Sequence, residues 1–279
     1  MKNIWEIVKY AIIGLIQGIT EPLPISSSGH MIIADEIFGQ LLPANTMNNF
    51  QIIVNFASLI AIIIYYRHLL KELIIGSWKY VFKKEKAEKD KFQYVLMIII
   101  ASVPAAIVGL IVKLLDLDNY YTNIVCVAIC LFITGLLLLY IHHQAAGATR
   151  ETITWKDSVF MGVGQSIGLL PGISRSGITT SFGIANKVSI TAAFRFSFMM
   201  YIPASIGATA IGIWDIAKES SFEGNPLGYA FAFFASLVGT YFAIKFFFKL
   251  IRNKNLKYFG FYCLLVSLIV AVLIITGVF

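Results

Sequence analysis

Charge is what this chain of 279 residues has least of: Asp, Glu, Lys and Arg together make up 13% of it, against 58% hydrophobic residues and a mean hydropathy of +0.79. That scarcity excludes an ordinary soluble domain, where about a quarter of residues are charged. Cysteine is nearly absent as well. Cys126, Cys130 and Cys263 all lie in apolar runs, and no CxxC or Cys/His metal spacing occurs, so they read as inert packing residues. Short alternating segments, the mark of a transmembrane barrel, are missing, and the apolar runs are continuous instead. No cleavable signal peptide is evident, because the first apolar stretch carries Glu6 and Lys9. The net charge of +7 does not point to nucleic acid. Its basic residues cluster between apolar runs, where cytoplasmic fluid and anionic membrane lipids would meet them.

The apolar runs predict six crossings, near 50–66, 93–114, 121–141, 194–214, 227–248 and 258–278. Two further segments, about 4–40 and 156–188, are too interrupted to cross. Each has an apolar arm, a Pro/Ser/Gly break and a shorter second arm (Met31–Gly39 and Ile178–Val188), which predicts a re-entrant hairpin turning at mid-depth. The expected architecture is an all-α integral membrane protein, a single domain over 1–279. It comprises six transmembrane helices and two re-entrant helical hairpins, built as two inverted repeats of about 1–145 and 150–279.

Topology follows by parity. A hairpin changes no side and three crossings change it once, so the second repeat is upside down relative to the first, and the hairpin tips can meet near the midplane. Basic residues agree with this order. Seventeen of the 22 fall in the connections 67–92, 142–157 with 187–195, and 245–257, from Arg67 through Lys254 to Lys257. Only Lys2, Lys9, Lys113 and Lys218 fall on the other side, with Arg175 left for the core. The positive-inside rule then places the rich set in the cytoplasm and both termini outside. Lys83 to Lys91, alternating with Glu85, Glu88 and Asp90, reads as a solvated loop.

The two breaks are copies. Gly14–Gly29, GLIQGITEPLPISSSG, recurs as Gly162–Gly177, GVGQSIGLLPGISRSG, with seven of sixteen positions identical. The differences carry chemistry: the first copy holds Glu21 and His30, the second Arg175. An ionisable group this deep is a functional candidate. Gln17 lies one helical turn before Glu21 and shares its face, and an amide with a carboxylate suits a hard cation such as Mg²⁺ or Ca²⁺. Ser26, Ser27, Ser28 and Gly29 precede a helix start, where hydroxyls and N–H groups cradle anions. Gly172, Ser174, Ser176 and Gly177 repeat that design, and Arg175 adds a planar fork for phosphate oxygens. His30, beside Glu21 and a serine, can move a proton near neutral pH. His68, His142 and His143 fall at the ends of crossings, where solvation explains them. An anion site held inside the membrane suits a phosphate ester or anhydride on a lipid carrier.

The stretches Gln17–His30 and Pro171–Gly177 strongly resemble the undecaprenyl-diphosphate phosphatase family of bacteria, the bacitracin-resistance type, and the likeness extends to the phenylalanine-rich Phe194–Phe198 region. The resemblance implies a cell-membrane hydrolase that converts undecaprenyl diphosphate to the monophosphate, needs a divalent cation and opens its active site toward the outer face. It assigns essential roles to Glu21, Ser27, His30 and Arg175. Many family members carry glutamate where this chain has Gln17, so that position orients or ligates here and Glu21 is the carboxylate that matters. Ser27 is the preferred nucleophile, with His30 or metal-activated water as alternatives. A flippase of polyprenyl phosphate lipids is the rival function, and a homodimer is compatible with either reading.

Overall fold

The computed structural model describes residues 2–38, 42, 44–115, 122–218, 224–252 and 255–279. The predicted arm end Gly39, the start of the third crossing at Tyr121, and Lys254 lie outside the described residues, as do the side chains of Lys2 and Arg252. Among the described residues there is no strand, only an isolated parallel bridge between Arg150 and Val188.

Both interrupted segments split where the sequence puts the Pro/Ser/Gly breaks. The first gives α1 (Lys2–Thr20) and α2 (Ser27–Phe38). Pro22 and Pro24 between them each lack an N–H and cannot continue the ladder. The predicted crossings become α3 (Ala44–Tyr65), α5 (Lys89–Leu114), α6 (Ile124–Gln144), α9 (Ile190–Lys218), α10 (Pro226–Arg252) and α11 (Lys257–Ile275). The second break separates α7 (Trp155–Ile167) from α8 (Arg175–Ala185).

Among the described residues, five of these helices, α5, α6, α9, α10 and α11, are each long and apolar enough to cross a membrane. The protein is therefore a multi-pass membrane protein. Residue segment 67–92, expected as a connection, is mostly helix. α4 (Arg67–Lys83) follows α3 after a single residue at an angle of 74°, and the stretch Asn49–Tyr65 of α3 forms with α4 a bent pair that is together long and apolar enough for one further span. Leu73 and Gly76 are buried on one face of α4, while Ile74, Trp78 and Phe82 are exposed on others.

Glycine lets the breaks' flanking helices come close. A Cβ at Gly14 or Gly18 of α1 would fall within 3.0 Å of the α10 backbone at Ala232 or Ser236. In the second copy, a Cβ at Gly162 of α7 would meet the α5 backbone at Ala101 just as closely. Around this frame, α3 packs on α10 and on α9, α6 on α11, and α9 on α5 and α8. The main apolar core gathers Phe194, Phe196 and Phe198 of α9 with Phe247 and Phe248 of α10, and Phe194 meets Phe247 edge to face at 4.7 Å. So the phenylalanine-rich stretch is a packing element. Buried hydroxyls tie α3 to α10: Ser58 Oγ lies 3.0 Å from Ser236 and 2.9 Å from Thr240, a polar join typical of helices without a hydrophobic drive to associate.

Candidate active site

The tips of the two breaks touch. Gly172 donates its N–H to Ser26 Oγ at 3.0 Å, and a Cβ on Gly29 would lie 3.0 Å from Gly172 Cα. Gly172 has φ +92°, and a Cβ there would strike Cys130 and the Val127 carbonyl, so only glycine fits. Thr134 of α6 staples the second tip, donating to the Gly172 carbonyl at 2.8 Å and accepting from Ser174 N at 3.0 Å.

Each break caps the helix after it in the same way. Ser26 Oγ accepts from Gly29 N at 3.4 Å, and Ser174 Oγ from Gly177 N at 3.1 Å. In both copies the cap hydroxyl also lies 3.4 Å from the serine two residues on, Ser28 or Ser176. Two helix N-termini thus converge, and their first N–H groups have no intrahelical acceptor. Ser26 holds φ +68°, a conformation that a non-glycine residue adopts at a cost.

Across this junction the carboxylate of Glu21 joins both copies. One oxygen accepts from Arg175 Nη2 at 2.7 Å. The other accepts from Ser27 Oγ and from Gln17 Nε2 at 2.9 Å. Gln17 also donates to Asn55 Oδ1 of α3 at 2.7 Å. The Arg175 guanidinium lies over the Tyr201 ring, 3.9 Å from its centroid, so one face is aromatic and one edge is on Glu21. A half-open cavity of about 260 Å³ meets these groups, lined by Glu21, Ser26, Ser27, Ser28, Ser174, Arg175 and Ser176 with Asn55, Tyr201 and Ser205.

Comparison with known proteins bears on this geometry. Residues 10–269 match the family described as bacitracin resistance protein BacA. The chain belongs to that family. An undecaprenyl-diphosphatase of Oceanobacillus iheyensis is 37% identical over 276 residues, covering 97% of this chain and 98% of the relative. Undecaprenyl-diphosphatase 2 of Bacillus thuringiensis is 36% identical over 270 residues, 96% of this chain and 98% of the relative. Undecaprenyl-diphosphatase 1 of Halalkalibacterium halodurans is 36% identical over 270 residues, with 96% and 97% covered.

In this BacA-family chain, not every expected site residue reaches the cavity. His30 does not line the cavity and hydrogen-bonds elsewhere than Glu21: its Nδ1 lies 2.8 Å from the Ser26 carbonyl and its Nε2 2.8 Å from Tyr262 Oη, with the two rings parallel. On the first turn of α2 the ring folds back to the carbonyl four residues earlier. Gly29, Gly172 and Gly177 direct their N–H groups to serine hydroxyls, so they shape the tips and leave anion contact to other groups. Gln17 lies behind Glu21 and orients it. Asn55, Thr134, Tyr201 and Tyr262 were not singled out from sequence, and their only signal is a polar or phenolic side chain inside an apolar run.

Among the described residues no three His, Cys, Asp or Glu side chains converge. The cavity's donors are all oxygen, with Glu21 the one carboxylate beside Asn55 and the serine hydroxyls. That set fits Mg²⁺, which binds through one or two carboxylates plus substrate phosphate and water.

Proposed function

We propose that this protein is a membrane hydrolase that removes the terminal phosphate of undecaprenyl diphosphate, releasing undecaprenyl phosphate and inorganic phosphate. The observation that carries this is Glu21, which takes the Ser27 hydroxyl on one oxygen and the Arg175 guanidinium on the other, between two helix N-termini. Ser27 Oγ attacks the terminal phosphorus in line, and its proton passes to Glu21, already its hydrogen-bond acceptor. The bond from phosphorus to the bridging oxygen breaks, and undecaprenyl phosphate leaves. Glu21 hands its proton to the bridging oxygen of that departing phosphate and is again a carboxylate. Water then cleaves the phosphoserine, Glu21 taking the water proton and passing it to Ser27 Oγ as the P–O bond to serine breaks. Arg175 turns its donors to the phosphate oxygens, aided by the N–H groups at the starts of α2 and α8, where charge develops. His30 holds the Ser26 carbonyl and so the strained tip. A divalent cation held by Glu21 and Asn55, with Gln17 orienting the carboxylate, would neutralise further phosphate charge.

The product lipid returns to peptidoglycan synthesis and escapes bacitracin, in keeping with the family's description. The fold reading that goes with this function is two inverted repeats with re-entrant hairpins in the cell membrane and the cavity toward the outer face. It is supported by exchange of partners: α1 packs on α10 as α7 packs on α5, each through its glycine seam. Phosphate release by purified protein in detergent tests the function, with Glu21→Ala and Arg175→Ala as controls. Release that both substitutions abolish is the expected result. Transfer of polyprenyl phosphate between leaflets without phosphate release would favour a flippase and overturn the phosphatase reading.

A further inference from the structure

The polar cavity runs on into an apolar one. Ile52 of α3 and Thr209 of α9 line both it and a second hollow of about 260 Å³, otherwise walled by Ile53, Phe56, Ile213 and Ile216. Along α9, the residues at these hollows are Tyr201, Ser205, Ala208, Thr209, Ile213 and Ile216, spaced to share one helix face. That face changes from polar beside Arg175 to wholly aliphatic over a rise of about 22 Å, at 1.5 Å per residue. Gly212 leaves room for a wall of the furrow: a Cβ there would lie 2.6 Å from Ile52 Cδ1, so a larger residue would displace the Ile52 side chain. Phe56 is 39% and Ile213 56% exposed, so the furrow opens at the protein surface.

A headgroup bearing only phosphate would leave this furrow without a purpose. An amphiphile with a diphosphate head and a branched hydrocarbon tail matches both ends. We propose that the furrow between α3 and α9, lined by Ile53, Phe56, Ile213 and Ile216, binds the first isoprene units of a polyprenyl diphosphate whose phosphates lie at Glu21 and Arg175. The proposal rests on the phosphatase reading for its headgroup. A tail moving from lipid to protein gains little from the hydrophobic effect, since lipid chains are as apolar as the furrow. Its contribution is therefore orientation: it fixes the scissile phosphorus against Ser27 and discriminates among tails.

Photolabelling tests this without relying on turnover. A farnesyl diphosphate analogue with a diazirine on its first isoprene unit, irradiated with the purified full-length protein, should label residues within 52–56 and 209–216. Labels confined to other helices would overturn the furrow even if phosphate is released. Labels in the furrow with no phosphate release would keep the subsite and sink the phosphatase reading. In parallel, Ile213→Trp and Ile53→Trp, which fill the furrow, should lower kcat/KM for farnesyl diphosphate at least tenfold at wild-type melting temperature. Leu136→Trp, on an exposed face of α6, should not. Equal effects from Ile213→Trp and Leu136→Trp would also overturn it.

Discussion

Glu21 accepts three hydrogen bonds from three different sources, and each donor's removal should read differently. Ser27→Ala removes the attacking oxygen, so kcat should fall by about 10⁶, the order lost when a hydrolase loses its serine nucleophile. Quenching wild-type protein with labelled substrate should trap phosphoserine. A phosphohistidine, or near-normal turnover by Ser27→Ala, would transfer the attack to His30 or water. Arg175→Ala leaves Glu21 buried without its cation, and truncating one partner of such a pair costs about 3–5 kcal/mol. Both turnover and melting temperature should therefore drop, whereas Ser27→Ala should lower turnover alone. His30 is a positioning residue in this geometry, since its ring contacts Ser26 and Tyr262. His30→Ala should lower turnover while the pH profile of the residual activity keeps its shape. A lost limb in that profile would put the imidazole back in the proton path.

At the scale of helices, the glycine seams and the clamp at the start of α7 hold the breaks in place. Gly18→Val would drive a side chain into the Ser236 backbone, and overpacking of this kind costs about 1–3 kcal/mol. Gly207→Ala, on α9 with nothing within 4 Å, should instead stabilise by about 0.5–1 kcal/mol through helix propensity. Melting temperatures in one detergent compare the two directly. The α7 clamp is Arg150, which makes a bidentate pair with Asp157 at 2.6 and 2.9 Å and reaches the Asn186 carbonyl, while Thr154 closes a capping box. Burial would raise the Asp157 pKa, but the hydrogen bonds from Arg150 and Thr154 outweigh it and hold the carboxyl below its ordinary range. A depressed carboxylate stabilises the fold above its unfolded pKa, and that stability is lost as pH falls through the folded value. Wild type should thus lose melting temperature below about pH 4, near the ordinary aspartate pKa, more steeply than Asp157→Asn. The breaks themselves were legible in sequence because Pro22, Pro24 and the serine caps act locally. The bend after Tyr65 was not, since no proline or glycine marks it and α4 reads as a charged connection.

For the molecule as a whole, sequence anticipated the meeting of the two tips, because one acidic and one basic copy of the same motif invite a shared ligand. Asn55 and Tyr201 escaped notice for a physical reason: an isolated polar residue in an apolar helix acquires a role only once its facing partner is known. Side assignment rests on parity and charge, and one ion pair and one backbone bridge join segments that parity groups together. Lys113 at the end of α5 pairs with Asp215 near the end of α9. Arg150, between α6 and α7, pairs in an isolated bridge with Val188 ahead of α9. If residues 113 and 215 share the outer side, Lys218 must lie outside, and Lys86, before α5, must lie inside. In a variant lacking Cys126, Cys130 and Cys263, Lys218→Cys should react with an impermeant maleimide on intact cells. Lys86→Cys should react only after permeabilisation. The reverse pattern would turn the cavity to the cytoplasm, and equal labelling of both from outside would mean that the segment between them crosses an even number of times. That second outcome would abolish the antiparallel relation between the halves, leaving the contact of Glu21 with Arg175 without the symmetry that accounts for it.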